Sequence, residues 1–285
     1  LVPGACANDA WLDLLQCIVS SGAESRPRGL LIKELLCKTT VVDMREPIVT
    51  VKARKLGYCF MAVEAWMIIT GRNDVASIKP YSPHIASFSD DGYRFDGAYG
   101  PRVVDQLRYV VDALSRDPDS RQAVIEIWRP NPRDSRDVPC TLTVQWMIRD
   151  GKLHCLDSMR SSDAWLGWPY DVFNFSMLSL YILLMLRERH DLIQHPHVRL
   201  SNLQLGDLYL TAGSSHLYVD PKVDGATNIP YYIKDVEALV MSDANTTKYN
   251  PLRIEEFKSP NLLVEHLNSC KQRICTLDWM RELYQ

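Results

Sequence analysis

Two side chains in this sequence have neighbours suited to covalent and proton-transfer chemistry. Cys140 follows Pro139 in a region dense with cations, namely Arg121, Arg129, Arg133, Arg136 and Arg160. Nearby positive charge favours thiolate over thiol, and the thiolate is the nucleophile. Glu64, in VEAWMIITG, is flanked by Ala62, Val63, Ala65 and Trp66. Apolar neighbours desolvate a carboxyl and raise its pKa, which suits it to proton transfer. The plainer readings are a buried inert cysteine and a solvated helix glutamate. The arginines also supply the forked donors that a phosphate group requires.

The elements that must position these residues follow from periodicity. Asn8 is expected to cap a helix with Trp11, Leu14, Leu15 and Ile18 on its apolar face. IVTVKA, residues 48–53, reads as a strand. Residues 59–70 read as the helix that carries Glu64, with Gly71 at its end. The Ser-, Asp-, Gly- and Tyr-rich stretch 81–100 reads as loop, and 102–116 as a helix with Val103, Leu107, Val110, Val111 and Leu114 on one face.

From there AVIEIW, LTVQWMI and LHCLDSM read as short strands. The Asp-Gly of IRDGKL marks a tight hairpin. A long apolar helix is expected from about Tyr170 to Arg189, then strands near 198–210 and 231–241. A last helix is expected over 261–282, with Leu262, Leu263, Leu267, Ile274 and Leu277 packed on its own domain. No repeat or linker-like composition break interrupts the chain. Residues 1–285 therefore read as one α+β domain, with 245–285 a C-terminal extension whose role the pattern does not define.

Composition narrows the classes. With 285 residues and 46% apolar content, the chain can bury a large core. A net charge of -3 gives no basic field, so nucleic-acid binding through bulk electrostatics is not expected. The run Val172–Leu186 is broken by Asn174, Ser176 and Ser179 and reads as too short and polar to span a membrane. No basic-then-apolar leader opens the sequence, and Leu1 suggests a processed end. The eight cysteines form no CxxC pair and no zinc-ligand spacing with histidines, so no metal is expected. Most of them read as small buried side chains in a reducing, cytoplasmic setting.

Three segments taken together resemble the thymidylate synthase family. They are DSRQAVIEIWRP with VPCTLTVQW, then LHCLDSMRSSDAWLGWPYDVFNFSML, then AGSSHLYVD, and the likeness spans roughly residues 60–220. Arg-Ser-x-Asp followed by Leu-Gly-x-Pro at the head of a long helix is the most specific part. The resemblance implies a homodimeric α+β fold with a large mixed sheet at the subunit interface and a long buried central helix. It also implies a pyrimidine nucleoside monophosphate substrate and 5,10-methylenetetrahydrofolate as cosubstrate.

Residue by residue, the resemblance makes Cys140 the nucleophile that adds to ring carbon 6. Glu64 then holds an ordered water and shuttles protons to the ring. Arg160 and Ser161 fit the phosphate positions, and Arg121 fits an arginine that reaches the partner subunit's site. Gln122 stands where a second arginine is usual, with Arg129 or another neighbour to compensate. Arg28 fits the arginine that covers the phosphate, with plain surface solvation as its alternative. His216 and Tyr218 fit the pair that binds the sugar 3′-hydroxyl, and Tyr99 fits an active-site tyrosine. Asp163 fits a base contact, with a turn or capping role as its alternative.

Departures from the family pattern carry the choice of substrate. Asp171 stands where the synthases carry an asparagine that pairs with uracil. A carboxyl can accept from cytosine's amino group and share its proton with the bare ring nitrogen, which an amide cannot do. Thr141 in place of histidine and Met159 in place of glutamine resemble the phage-type deoxycytidylate hydroxymethylases. The folate-site tryptophans and the usual carboxy-terminal closure are not evident, which favours quenching by water over hydride. The expectation is an enzyme, a one-carbon transferase that hydroxymethylates a cytosine nucleotide, dCMP first and CMP as the ribo alternative. Thymidylate synthase, deoxyuridylate hydroxymethylase and a non-catalytic nucleotide-binding homologue are the rivals.

Overall fold

The computed structural model describes residues 4–189, 198–219, 233–242, 253–254 and 257–270. Seven helices are described: α1 (Ala7–Ser21), α2 (Tyr58–Ile69), the single turn α3 (Val75–Ile78), α4 (Tyr99–Arg116), α5 (Trp168–Glu188), α6 (Ile233–Met241) and α7 (Pro260–Cys270). Seven strands are β1 (Ala23–Ser25), β2 (Ile32–Asp43), β3 (Val124–Glu126), β4 (Thr141–Arg149), β5 (Lys152–Met159), β6 (Ser162–Asp163) and β7 (Gln204–Tyr218). They form one mixed sheet in the order β1-β2-β7-β5-β4-β3, with β6 paired to β7. Pairing is antiparallel except that β5 and β6 each run parallel to β7.

Alternation decides which sheet face meets the helices. Val144, Trp146 and Ile148 of β4 and Leu153 and Cys155 of β5 are all but inaccessible. Against them lies α5, whose Phe173, Phe175, Leu178 and Ile182 are equally buried. The polar groups of this layer are satisfied: Trp146 Nε1 donates to Ser179 Oγ at 2.9 Å, and Ser179 Oγ donates to the Phe175 carbonyl at 2.7 Å. The hairpin between β4 and β5 turns on Asp150 and Gly151, with φ of 51° and 69°, as the Asp-Gly pair predicts.

Several expectations need correction. α5 is, by length and composition, apolar enough to cross a membrane; most of it is buried inside the fold, so it is a core helix. Asn8 does not cap α1. It lies inside the helix, where its Oδ1 accepts from Thr50 N at 2.7 Å and its Nδ2 donates to Thr50 Oγ1 at 3.0 Å. That staple occupies backbone that a strand would use, so 48–51 form irregular chain, with Ile48, Val49 and Val51 buried, that leads into an exposed 3-10 turn at Lys52 instead of a strand.

Residues 233–241 form α6 rather than a strand, with Ile233 and Val236 buried one turn apart. The stretch 81–100 contains a 3-10 turn, Pro83–Phe88, and the start of α4. The strand expected near 198–210 begins at Gln204 and runs on to Tyr218. α7 covers the first part of the expected last helix; residues 271–282, with Ile274 and Leu277, lie outside the described residues. Among the described cysteines, Cys6, Cys155 and Cys270 are buried but Cys37 is exposed, in the left-handed conformation at φ 53°.

Candidate active site

Cys140 sits immediately before β4, and three contacts fix its backbone. Arg160 N donates to the Cys140 carbonyl at 2.8 Å. The amide of Thr141 donates to Tyr99 Oη at 3.1 Å. The Arg160 guanidinium donates to the carbonyls of Val138 and Pro139, at 3.1 and 2.9 Å, and to Ser161 Oγ at 3.2 Å. The Cys140 thiol lies 3.9 Å from Ser161 Oγ.

The expected depression of the thiol pKa is not what the surroundings produce. Burial raises it, Arg160 opposes, Asp171 raises it further, and Ser161 and Arg28 oppose; the balance lies above the ordinary value. The other arginines are engaged elsewhere. Arg136 pairs with Asp90 at 3.2 Å, and Arg129 and Arg133 line a small adjoining pocket with Arg102 and Asp96, divided from the Cys140 cavity by Asp137, Val138 and Pro139. Sequence density therefore overstated the positive field at sulfur: of those five arginines only Arg160 is among the charges that act on it.

Glu64 projects from α2 toward the first turns of α5, where Asn174 Nδ2 donates to its Oε2 at 2.8 Å. Burial pushes the Glu64 carboxyl up to about 7, with the Asn174 bond opposing. Asp171, one turn before Asn174 on α5, is held well above the usual carboxylate range by burial, then by the charges of Glu64 and Asp163. Ionisation of Glu64 or Asp163 makes ionisation of Asp171 harder.

Asp163 takes the turn role: its Oδ1 accepts from the amides of Trp165 and Leu166, each at 2.8 Å. Burial raises its pKa, against His216 and those two amides. The same turn is gripped by Arg54, whose Nε donates to the Trp165 carbonyl at 2.6 Å beneath the Trp165 and Tyr170 rings. This turn sets where α5 begins, and hence where Asp171 points.

On β7, His216 is register partner to both Asp163 and Glu34. Its ring meets Tyr218 edge-on at 5.4 Å, and its buried Nδ1 has no hydrogen-bond partner among the described residues. Arg28, at φ 55° in a tight turn, is exposed and donates to Tyr218 Oη at 3.5 Å. Tyr99 opens α4; burial, then the nearness of Asp171 and Cys140, drive its phenol well above its ordinary pKa.

A cavity of about 240 Å³ joins Cys140, Glu64, Asp171, Asn174 and Tyr99. Its far wall is apolar, built by Met67 and Ile68 of α2, Ile78 of α3, and Ile85, Phe88 and Phe95 of the following segment. A larger, shallow hollow of about 410 Å³ holds Arg121 with Arg116, Asp119 and Gln122. It does not share a wall with the Cys140 cavity, so Arg121 stands apart from the other predicted site residues within one chain. Sequence reading missed Asn174 and the apolar wall. Asn174 had a signal, a polar residue one turn after Asp171 in an otherwise apolar run.

The arrangement can do thiol addition next to a proton-transferring carboxyl, beside a second carboxyl able to donate and accept at once. Comparison with known proteins agrees with this chemistry. A deoxyuridylate hydroxymethyltransferase of Bacillus phage SP01 is 28% identical over 239 residues, covering 76% of this chain. The chain spans little more than half of that relative, 58% of its length. The family model for thymidylate synthase matches residues 9–266, and with that match over nearly the whole sequence the chain belongs to the thymidylate synthase family.

Proposed function

We propose that this protein transfers a one-carbon unit to carbon 5 of a cytosine nucleotide and finishes with water, giving the 5-hydroxymethyl nucleotide. The observation that carries the proposal is Asp171, a carboxyl at the cavity wall whose surroundings favour the protonated form. A protonated carboxyl donates to the bare ring nitrogen and accepts from the amino group. The carboxyl can also pass its proton to that bare nitrogen as the ring is activated, which an amide cannot do and which uracil, whose ring nitrogen already bears hydrogen, does not call for. A second reading, hydroxymethylation of dUMP, is favoured by the similarity to the phage deoxyuridylate enzyme.

The apolar wall of Met67, Ile68, Ile78, Ile85, Phe88 and Phe95 beside Cys140 fits a flat folate ring. Methylenetetrahydrofolate, when bound, supplies carbon at the oxidation level of formaldehyde. The chain's own residues do the rest. Cys140 adds through sulfur to carbon 6, which makes carbon 5 nucleophilic, and leaves at the end. Glu64, poised near neutrality, holds the proton that water gives up. Tyr99 fixes the backbone behind the nucleophile. His216 and Tyr218 hold the sugar hydroxyl, with deoxyribose preferred to ribose. Asp163 keeps the turn that aims Asp171 at the base.

Phosphate is assigned to Arg160, Ser161 and Arg28, with Arg121 delivered by a second copy of the chain. The separate placing of Arg121 supports that assignment. So does the half-buried apolar row Met147, Leu156 and Tyr209 on the sheet face turned from the core. The test is incubation with dCMP, CMP and dUMP, with and without the folate, and identification of products. Gain of one CH2O unit by dCMP is expected; a methyl group with dihydrofolate would contradict the reading.

A further inference from the structure

We infer that Asn174 is a positioning residue for the water step, present to hold Glu64 in the ionised form that takes water's proton. The inference rests on the hydroxymethylase reading. Its basis is a hydrogen-bond imbalance. Asn174 is only 4% exposed, and its Nδ2 donates to Glu64 Oε2 at 2.8 Å. A carboxylate only accepts, so the amide nitrogen faces it, and the amide oxygen is left over. That oxygen is buried and has no hydrogen-bond partner among the described residues. An amide kept for packing alone would find partners at both ends. Here one end is left unmade for the sake of the other, and the end that is made touches the carboxyl on the wall of the reactive cavity.

The consequence is chemical. Burial alone drives Glu64 toward its neutral form, and a neutral carboxyl cannot take a proton. A donor fixed at one oxygen restores part of the charge and leaves the second oxygen of this cavity-lining residue for water. In the step served, water oxygen bonds to the exocyclic methylene carbon on ring carbon 5. The electron pair of that double bond moves into the ring, sulfur of Cys140 leaves carbon 6 with its bonding pair, and water's proton passes to Glu64. No oxidant or reductant is required.

The groups around Glu64 are few. Asp171 faces it from α5. Around the same cavity stand Tyr99 of α4, Cys140 before β4, Asp137 in the preceding loop and Arg72 after α2. α7 also packs on α2; its buried His266 lies against the Cys270 sulfur at 3.6 Å and the Phe257 ring. None of these offers Glu64 the donor that Asn174 does.

The experiment compares the full chain with Asn174→Ala, Asn174→Leu and Asn174→Ser, measuring product identity, the pH profile of kcat and urea stability. Wild-type activity is expected to rise through pH about 7 as Glu64 ionises. In Asn174→Ala and Asn174→Leu that limb moves up by about one pH unit, since a hydrogen bond to a charged group is lost. kcat at neutral pH falls roughly fivefold while KM for the nucleotide holds. Stability below about pH 6, where Glu64 is protonated in either case, stays at or above wild type. Asn174→Ser, with a small donor in place, falls between. Variants with the wild-type pH limb, or losses that track stability alone, would overturn the inference and leave the hydroxymethylase reading intact. A wild-type enzyme that makes only a methyl product would overturn both.

Discussion

The amide of Thr141 donates to the hydroxyl of Tyr99 at 3.1 Å, so the residue after the nucleophile is tied to the first residue of α4. Tyr99→Phe removes the acceptor and leaves that amide without its partner. A buried donor left unpaired costs about 1–3 kcal/mol. Urea denaturation is expected to show a loss in this range, with kcat reduced more than nucleotide binding. Unchanged stability would mean that the amide finds another acceptor.

Asp157 gives a prediction of opposite sign. It is buried on β5, facing α5, and among the described residues neither carboxyl oxygen has a hydrogen-bond partner, with the Thr141 hydroxyl beside it holding its pKa down only in part. Burial, with Asp171 adding, holds its pKa well above the usual range. Between the unfolded pKa, about 3.9, and the raised folded one, the native state binds more protons, so stability falls as pH rises. Asp157→Leu is expected to be more stable than wild type near pH 8, by about 1–3 kcal/mol, with the gap closing below about pH 4. A gap independent of pH would rule out ionisation as its cause.

Asp171→Asn restores an amide that complements uracil. It is expected to lower kcat/KM for dCMP and raise it for dUMP. The amide has no proton to pass to cytosine's ring nitrogen, and loss of such general-acid help, worth about 10²–10⁴, shifts the ratio by roughly a hundredfold or more. Competition between the two nucleotides in one reaction reads this ratio directly. An unchanged preference would remove Asp171 from base selection.

Glu64→Gln keeps the shape and the contact with Asn174 but cannot take a proton. kcat is expected to fall by about 10²–10⁴, and the pH limb near 7 to vanish. Persistence of that limb in the variant would assign it to another group, with Cys140 the first candidate.

How much of this was legible in sequence varies with the physics. Glu64, Cys140, Asp171, Tyr99 and the turn at Asp163 are drawn together as their motifs suggest: all but Glu64, which rides mid-helix on α2, lie within a few residues of an element end. The thiol environment was not legible: five arginines near in sequence contribute mainly one, Arg160, at sulfur, with Arg28 arriving from a distant turn. β2 was hidden because Leu31, Ile32, Leu35 and Leu36 carry helical spacing, whereas long antiparallel pairing with β7 decides the outcome. The 48–53 strand failed for a related reason, since Asn8 captured the Thr50 amide. The Glu64–Asn174 contact joins residues 110 apart, and no local pattern announces such a pair.

Mass spectrometry of the nucleotide formed from dCMP and methylenetetrahydrofolate in heavy-oxygen water tests the central claim most directly. The account predicts a cytosine product carrying a hydroxymethyl group whose oxygen is the heavy isotope, and none from Cys140→Ala. A methylated product without solvent oxygen, or turnover of dUMP alone, would contradict it.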